Sequence, residues 1–292
     1  MKLLILGGSG HVSGTLARAA IAGGHEVWTV TRGQRALPDG ARPIIADRHD
    51  HAATARAIAD AGGPWDMVVD CICFDVPDIR QDIDLFRDRA GQFVLVSTDF
   101  VYDPTRRRNP QPEDGAHYVA GGEGALGYGA RKRACEVELA AADTGDMQWT
   151  IIRPCHIYGP PSQLGCLPLH GRDPQLLARL RAGETLQLVA AGRLLQQPIT
   201  AADLARTILS VAGNRQAAGR AFNAAGPDVI ESARYYQIIA DTLAVPLRIS
   251  EVEQAAYLRE QPAMAPFICD RVYDLTRLRE AGLHAPETPI ER

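Results

Sequence analysis

Tyr128 and Lys132 stand four residues apart in the phrase Tyr128-Gly129-Ala130-Arg131-Lys132. On a helix that spacing puts both side chains on one face. A free tyrosine, with a pKa of ~10, is a poor base at neutral pH. An ammonium beside it favours the phenolate. The pair can then take or give a hydroxyl proton while a hydride moves to or from a nicotinamide ring. Upstream lies Ser97-Thr98-Asp99-Phe100-Val101-Tyr102, at the end of an expected strand, where open α/β sheets hold their ligands.

A second group of residues speaks to phosphate. Gly7-Gly8-Ser9-Gly10-His11-Val12-Ser13-Gly14 follows an apolar run and opens a helical stretch. Glycines there let the backbone turn tightly and approach a pyrophosphate, whose charge the helix N-terminus meets. Ser13 stands at the third glycine of G-x-x-G-x-x-G, and Gly14 comes one residue late. After the second strand the chain reads Val30-Thr31-Arg32-Gly33-Gln34-Arg35, with no acid for a ribose 2′-hydroxyl. Arginine there suits a 2′-phosphate, so NADP(H) is the favoured cofactor and NAD(H) the second option. Asp47 can accept from the adenine amine.

These residues need a scaffold, and the periodicity supplies one. Apolar strands are expected at Lys2–Leu6, Glu26–Val30, Pro43–Ala46, Asp66–Ile72, Phe93–Val96 and Trp149–Ile152. Helices are expected between them at Thr15–Ala22, His51–Ala61, Ile79–Arg89 and Tyr128–Ala142. Such alternation implies an α/β protein with a Rossmann doubly wound parallel sheet. Residues 1–160 form its dinucleotide-binding domain. Residues 161–292 are mainly a smaller C-terminal substrate-binding lobe, with 186–225 partly returning to the first domain. Helices at Pro174–Ala182, Ala202–Ala212 and Ser232–Leu243 and strands at Leu186–Val189 and Ala221–Asn223 complete the reading.

Bulk properties exclude other classes. The 292 residues carry a formal charge of −4, without the basic footprint of a nucleic-acid binder. Arg106-Arg107-Arg108, the one basic run, reads as a solvated loop. No run approaches the ~20 apolar residues of a membrane helix, and the apolar start stops at Gly7, so a cytoplasmic protein is expected. Cys71, Cys73, Cys135, Cys155, Cys166 and Cys269 read as free thiols. Cys71 and Cys73 are expected on one face of a strand. No metal set is expected.

Taken in order, three phrases carry a resemblance. They are Val96-Ser97-Thr98-Asp99-Phe100-Val101-Tyr102, the helix from Tyr128 to Glu136, and Ile152-Arg153-Pro154-Cys155-His156-Ile157-Tyr158-Gly159-Pro160. Together with Pro198–Leu204 and Phe222–Gly226 they make the chain similar to extended, or atypical extended-like, short-chain dehydrogenases/reductases of the NAD-dependent epimerase/dehydratase family. The resemblance implies that Thr98 hydrogen-bonds the substrate oxygen and that Tyr128 is the acid/base. It also implies that Lys132 holds the ribose and the charge state of the tyrosine. Gly7, Ser9, Gly10, His11, Val12, Thr31, Arg32, Arg35, Asp47, Arg48, Cys71, Tyr128, Lys132, Pro154 and His156 become the expected cofactor contacts. Asp99, Phe100 and Gln196 become the expected substrate contacts. Ser97-Thr98-Asp99 looks like the phrase of sugar-nucleotide 4,6-dehydratases, but Phe100 replaces their glutamate, which speaks against elimination. It also looks like that of deoxysugar 4-ketoreductases. Gln196 stands where relatives place a phosphate-binding arginine; Arg172 and Arg193 are candidate substitutes. His156 stands where many relatives carry asparagine. The implied protein is an epimerase or ketoreductase, a homodimer acting on a nucleotide sugar or related polyol, a small-molecule substrate. The alternative is a non-catalytic, nucleotide-sensing or RNA-associated protein of the same fold.

Overall fold

The computed structural model describes residues 1–162, 164 and 169–291; Cys166 lies outside them. Strands β1 (Lys2–Leu6), β2 (Glu26–Thr31), β3 (Arg42–Ile45), β4 (Trp65–Asp70), β5 (Ala90–Val96) and β6 (Gln148–Pro154) alternate with helices α1 (His11–Ala22), α2 (His51–Asp60), α3 (Val76–Phe86) and α4 (Gly124–Ala141). Then come β7 (Ile157–Tyr158), α5 (Leu176–Arg181), β8 (Thr185–Val189), β9 (Leu195–Gln196), β10 (Ile199–Thr200) and α6 (Ala201–Leu209). The chain finishes with β11 (Arg220–Ala224), β12 (Ile230–Glu231), α7 (Ser232–Thr242), β13 (Arg248–Val252), α8 (Gln254–Glu260) and α9 (Thr276–Glu280).

The central sheet has seven strands in the order β11-β6-β5-β4-β1-β2-β3. All its pairings are parallel. Leu3, Leu4, Ile5 and Leu6 are buried on both faces of β1. That explains why the strand reads as a continuous apolar run. On one face Leu3 and Ile5 join Leu16, Ala17 and Ala20 of α1 and Leu204, Ala205 and Ile208 of α6. On the other, Leu4 and Leu6 join Ile79, Ile83 and Phe86 of α3 and Cys135 and Leu139 of α4. The sheet is thus covered by helices on both sides, as expected of a Rossmann fold.

The later chain divides its loyalties. Strand β11 is the sheet's seventh strand, and Tyr273, Leu275 and Leu278 pack into the same core as α1 and α6. Strand β8 instead pairs with β13, and Leu176, Leu180, Tyr235 and Tyr236 form a separate apolar cluster beside it.

Two expectations require correction. Strand β4 stops at Asp70 rather than running to Ile72. The Asp70 carboxylate accepts the Ile72 N–H at 2.5 Å and bends the chain out of the sheet. Cys71 and Cys73 therefore lie in the loop after the strand and share no strand face. Arg107 is not solvated either: its side chain is 3% exposed. It donates to the Asp99 carbonyl at 2.8 Å and to the Tyr273 hydroxyl at 2.9 Å. The five described cysteines are free thiols. No helix among the described residues is long and apolar enough to cross a membrane.

Candidate active site

The glycine-rich turn is built for close backbone approach. Gly7 and Gly8 have φ of 107° and 128°, a region costly for any residue with a Cβ. A Cβ on Gly8 would lie 2.6 Å from Thr29. Helix α1 begins at His11, earlier than its apolar periodicity suggests, because Ser13 supports the first turn: its Oγ accepts from Gly10 N at 3.2 Å. Serine at the third glycine position thus supports the first turn of the helix that the glycine-rich turn opens.

Helix α4 brings Tyr128 and Lys132 to the carboxyl end of β5. Gly129 lets it come that close, since a Cβ there would sit 2.0 Å from the Phe100 carbonyl oxygen. The helix starts at Gly124, one turn before Tyr128. Further along it, Glu136 is fully buried and takes both arms of Arg153 on β6 at 2.8 and 2.9 Å. It also accepts the Ser97 hydroxyl at 2.6 Å. Charge-assisted bidentate pairs are strong and directional, so this one locks α4 to β5 and β6.

Lys132 is 2% exposed. Its Nζ donates to the carbonyl oxygens of Cys73 and Val96, at 2.7 Å each. Tyr128 shows the opposite of an activated phenol. Burial pushes its hydroxyl up to about 12; Asp99 adds to this, while Arg172 and Arg131 oppose it. The hydroxyl is therefore a proton donor across the neutral range.

A cavity of about 750 Å³ joins these elements. Gly10, His11 and Val12 of the turn line it, with Arg35, Cys71, Thr98, Asp99, Phe100, Tyr128, Lys132, Pro154 and His156. Phe74, Cys155, Arg172, Phe267 and Arg271 line it too, and of these only Arg172 carried a sequence signal. Gly7, Ser9, Thr31, Arg32 and Asp47 sit on or just after the carboxyl ends of β1, β2 and β3, outside that lining. Phe100 meets Phe267 edge-on at 4.5 Å and Tyr128 at 6.3 Å, so aromatic rings wall that end of the cavity.

Three expected contacts are engaged elsewhere. Arg48 is 5% exposed and holds Asp70 at 2.6 Å, Asp82 at 3.1 Å and Asp78 at 3.2 Å. Its guanidinium braces the β4–α3 loop. Asp70, Cys73 and Asp82 offer ligand atoms within 4.8 Å of one another, but Arg48 already meets both carboxylates. Gln196 is 2% exposed and off the cavity; its Oε1 accepts from Arg271 at 3.5 Å. Arg271 is the arginine that reaches the cavity there, carried by a segment with no motif of its own. It grips Asp99 at 2.9 Å, and the Tyr273 hydroxyl makes a very short bond to the same carboxylate. Asp99 is thereby an anchor for Arg271. Of the candidate substitutes for position 196, Arg172 lines the cavity, whereas Arg193 pairs with Glu251 on the surface at 2.7 Å.

The chain belongs to the NAD dependent epimerase/dehydratase family, whose pattern it matches over residues 3–225. Over 240 residues it is 26% identical to the chloroplast stem-loop binding protein of 41 kDa b of Arabidopsis thaliana. That match covers 77% of this chain and 58% of the plant protein, so the chain spans under two thirds of its length. It is 27% identical to the 2′-dehydrokanamycin reductase of Streptomyces kanamyceticus over 94% of this chain and 77% of the reductase. Among solved structures it resembles the enzyme WbmH of Bordetella bronchiseptica in complex with NAD+, at 18% identity and a TM-score of 0.73. That alignment covers 99% of this chain and 94% of the other.

Proposed function

We propose that this chain is an NAD(P)-dependent oxidoreductase of the epimerase or ketoreductase type, moving hydride at a carbinol or keto carbon of a nucleotide sugar or related polyol. One observation carries the reading: Thr98, Tyr128 and Lys132 line the same cavity as Gly10 and His11 of the glycine-rich turn. A bound nicotinamide dinucleotide would supply or accept the hydride. Thr98 orients the reacting oxygen, and Tyr128 gives or takes its proton. Lys132 is placed one helical turn away, within the same wall.

Electrostatics favour an acidic ligand. The described lining holds Arg35, Lys132, Arg172 and Arg271 against one carboxylate, Asp99, in a chain of net charge −4. A polycationic substrate such as an aminoglycoside would meet like charge there. Arg35 beside the turn supports NADP(H). NAD+ in the related structure supports NAD(H). Phe100 offers no base for elimination, which supports simple hydride transfer.

The test is to denature purified protein and identify the released nucleotide by mass spectrometry, then assay Tyr128→Phe. Loss of turnover with retained dinucleotide binding is expected; turnover near the wild-type rate would overturn the reading. The similarity to a stem-loop binding protein motivates a second reading, a non-catalytic RNA-associated protein. Salt-sensitive RNA binding without any turnover would favour it.

A further inference from the structure

Arg107 and Arg271 meet at one carboxylate, and both side chains are buried. Arg271 reaches Oδ2 of Asp99 from Nε and Nη2, at 2.9 Å each. Arg107 approaches the same oxygen at 3.5 Å, and its own Nε has no hydrogen-bond partner among the described residues. Burial pushes the Tyr273 phenol well above its usual 10, so that hydroxyl enters the group uncharged. Asp270, one residue before Arg271, gives its carboxylate to the Leu195 N–H at 2.9 Å and makes no ion pair among the described residues. Two cations therefore share one anion in the interior. A buried charge without a counter-charge is costly, so the excess calls for an anion from outside the chain.

That excess sits beside Thr98 and Tyr128 rather than beside the glycine-rich turn. Arg271 lies over the Phe100 ring at 5.2 Å, and that ring meets Tyr128 edge-on at 6.3 Å. Asp99, its anchor, directly follows Thr98. The turn follows β1, which β4 separates from β5, a distance of about 10 Å at the usual strand spacing. A pyrophosphate held at the turn thus leaves Arg271 unmet. A guanidinium has five N–H donors. Two of Arg271's go to Asp99, and the Gln196 amide oxygen, at 3.5 Å, and the Tyr273 hydroxyl occupy two more. At least one remains for a ligand in the cavity that Arg271 lines.

We propose that Arg271, held by Asp99 and backed by Arg107, selects a substrate with a carboxylate beside the reacting carbinol carbon: a uronic or related sugar acid. This rests on the hydride reading above, which supplies the reacting carbon. A planar carboxylate suits the guanidinium fork. In a hexose joined to its nucleotide through C1 and reacting at C4, the exocyclic C6 hangs from C5, next to the reaction, while the phosphates hang across the ring. Oxidised C6 is therefore the group within reach of a cation beside Phe100. Asp99 is the one carboxylate of the described lining, and it is already taken by the two arginines, so it does not repel such a ligand.

Titration calorimetry on the full chain, loaded with NADH so that no oxidation follows, compares UDP-glucuronate with UDP-glucose and free glucuronate with glucose. Each pair differs only in a carboxylate for a hydroxymethyl group. In at least one pair the acid should bind about ten-fold tighter or more. Most of that margin should persist in about 0.5 M salt, which screens the diffuse field of exposed cations. Arg271→Lys should cut it to about three-fold, since the charge stays and the fork goes, and Arg271→Gln should abolish it. The neutral partner should lose no more than about two-fold in either variant. Circular dichroism and NADH affinity show that each variant is folded; Arg271→Lys carries the comparison where Arg271→Gln is not. Equal affinity within both pairs, a margin lost in salt, or no binding of either acid overturns the proposal, while retained NADH binding leaves the hydride reading standing. Equal losses of UDP-glucose and UDP-glucuronate in Arg271→Gln make the arginine a diphosphate contact and overturn it as well. Failure to bind NADH overturns the hydride reading instead, and an acid preference then measured without NADH belongs to a binding protein.

Discussion

Lys132 donates from Nζ to the carbonyl oxygen of Cys73 at 2.7 Å, tying α4 to the loop after β4. That loop contributes Cys71 and Phe74 to the cavity wall. The ammonium therefore shapes the site as well as charging it. Tyr128→Phe should leave the melting temperature unchanged and lower kcat by about 10²–10⁴-fold. Lys132→Met should lower both, because two buried carbonyls lose their donor at about 1–3 kcal/mol each. Since burial pushes the tyrosine up to about 12, ketone reduction should hold level from about pH 6 to 9 while alcohol oxidation rises with pH. Paired melts and pH–rate profiles check these outcomes.

Gly129→Ala tests how tightly α4 must approach the strand-five phrase. The new methyl would stand 2.0 Å from the Phe100 carbonyl. The helix has to shift, at a cost of about 1–3 kcal/mol. Activity should fall at least ten-fold, measured beside circular dichroism to show that the fold persists. Full activity would show that the contact is dispensable.

Glu136 sets an acid limit on stability. Burial alone would raise its carboxyl, but Arg153, Ser97 and Arg133 outweigh it and hold the group below the usual 4.5. A depressed carboxyl stabilises the fold fully above its unfolded value and loses that contribution as pH falls through the folded one. Unfolding followed by fluorescence should show stability declining below about pH 4.5, with a shallower decline in Glu136→Gln. Arg153→Met, which leaves the carboxylate buried and unpaired, should cost about 3–5 kcal/mol.

Asp82 behaves in the opposite sense. Burial and the neighbouring Asp70 raise it well above 3.8 despite Arg48. A raised group stabilises fully below its unfolded value and loses that contribution as pH climbs through the folded one. Asp82→Asn, a neutral isostere, should therefore equal or exceed the wild type in urea midpoint at pH 8. Arg48→Met should lose about 3–5 kcal/mol by stranding the carboxylates.

Cofactor choice can be read at Arg32 and Arg35. Alanine at both should weaken NADPH at least ten-fold and leave NADH unchanged, if these arginines meet a 2′-phosphate. Fluorescence titration with each nucleotide decides it, and an unchanged ratio would remove the argument for NADP(H).

Local signals made much of this legible. The glycine turn, the continuous apolar strands and Tyr128 with Lys132 all depend on neighbours close in sequence, and the elements followed. Arg48, an expected cofactor contact next to Asp47, turns inward instead, because its carboxylate partners Asp70, Asp78 and Asp82 gather only in the fold. Asp99 and Arg271 are separated by 172 residues. No periodicity announces such a pair, so the place of Arg271 in the cavity and the burial of Arg107 emerged only in three dimensions.

The pairing of β11 with β6, from Arg220 with Thr150 to Ala224 with Pro154, has a consequence for biosynthesis. When β6 leaves the ribosome, the strand that covers its outer edge is still to be made, roughly seventy residues further along the chain. Until then the nascent chain presents an unpaired hydrophobic strand edge, the kind of surface that chaperones shield and that aggregates when left bare. A fragment ending near residue 160 would keep that edge permanently open, so the first half of the chain should not survive as a soluble piece by itself.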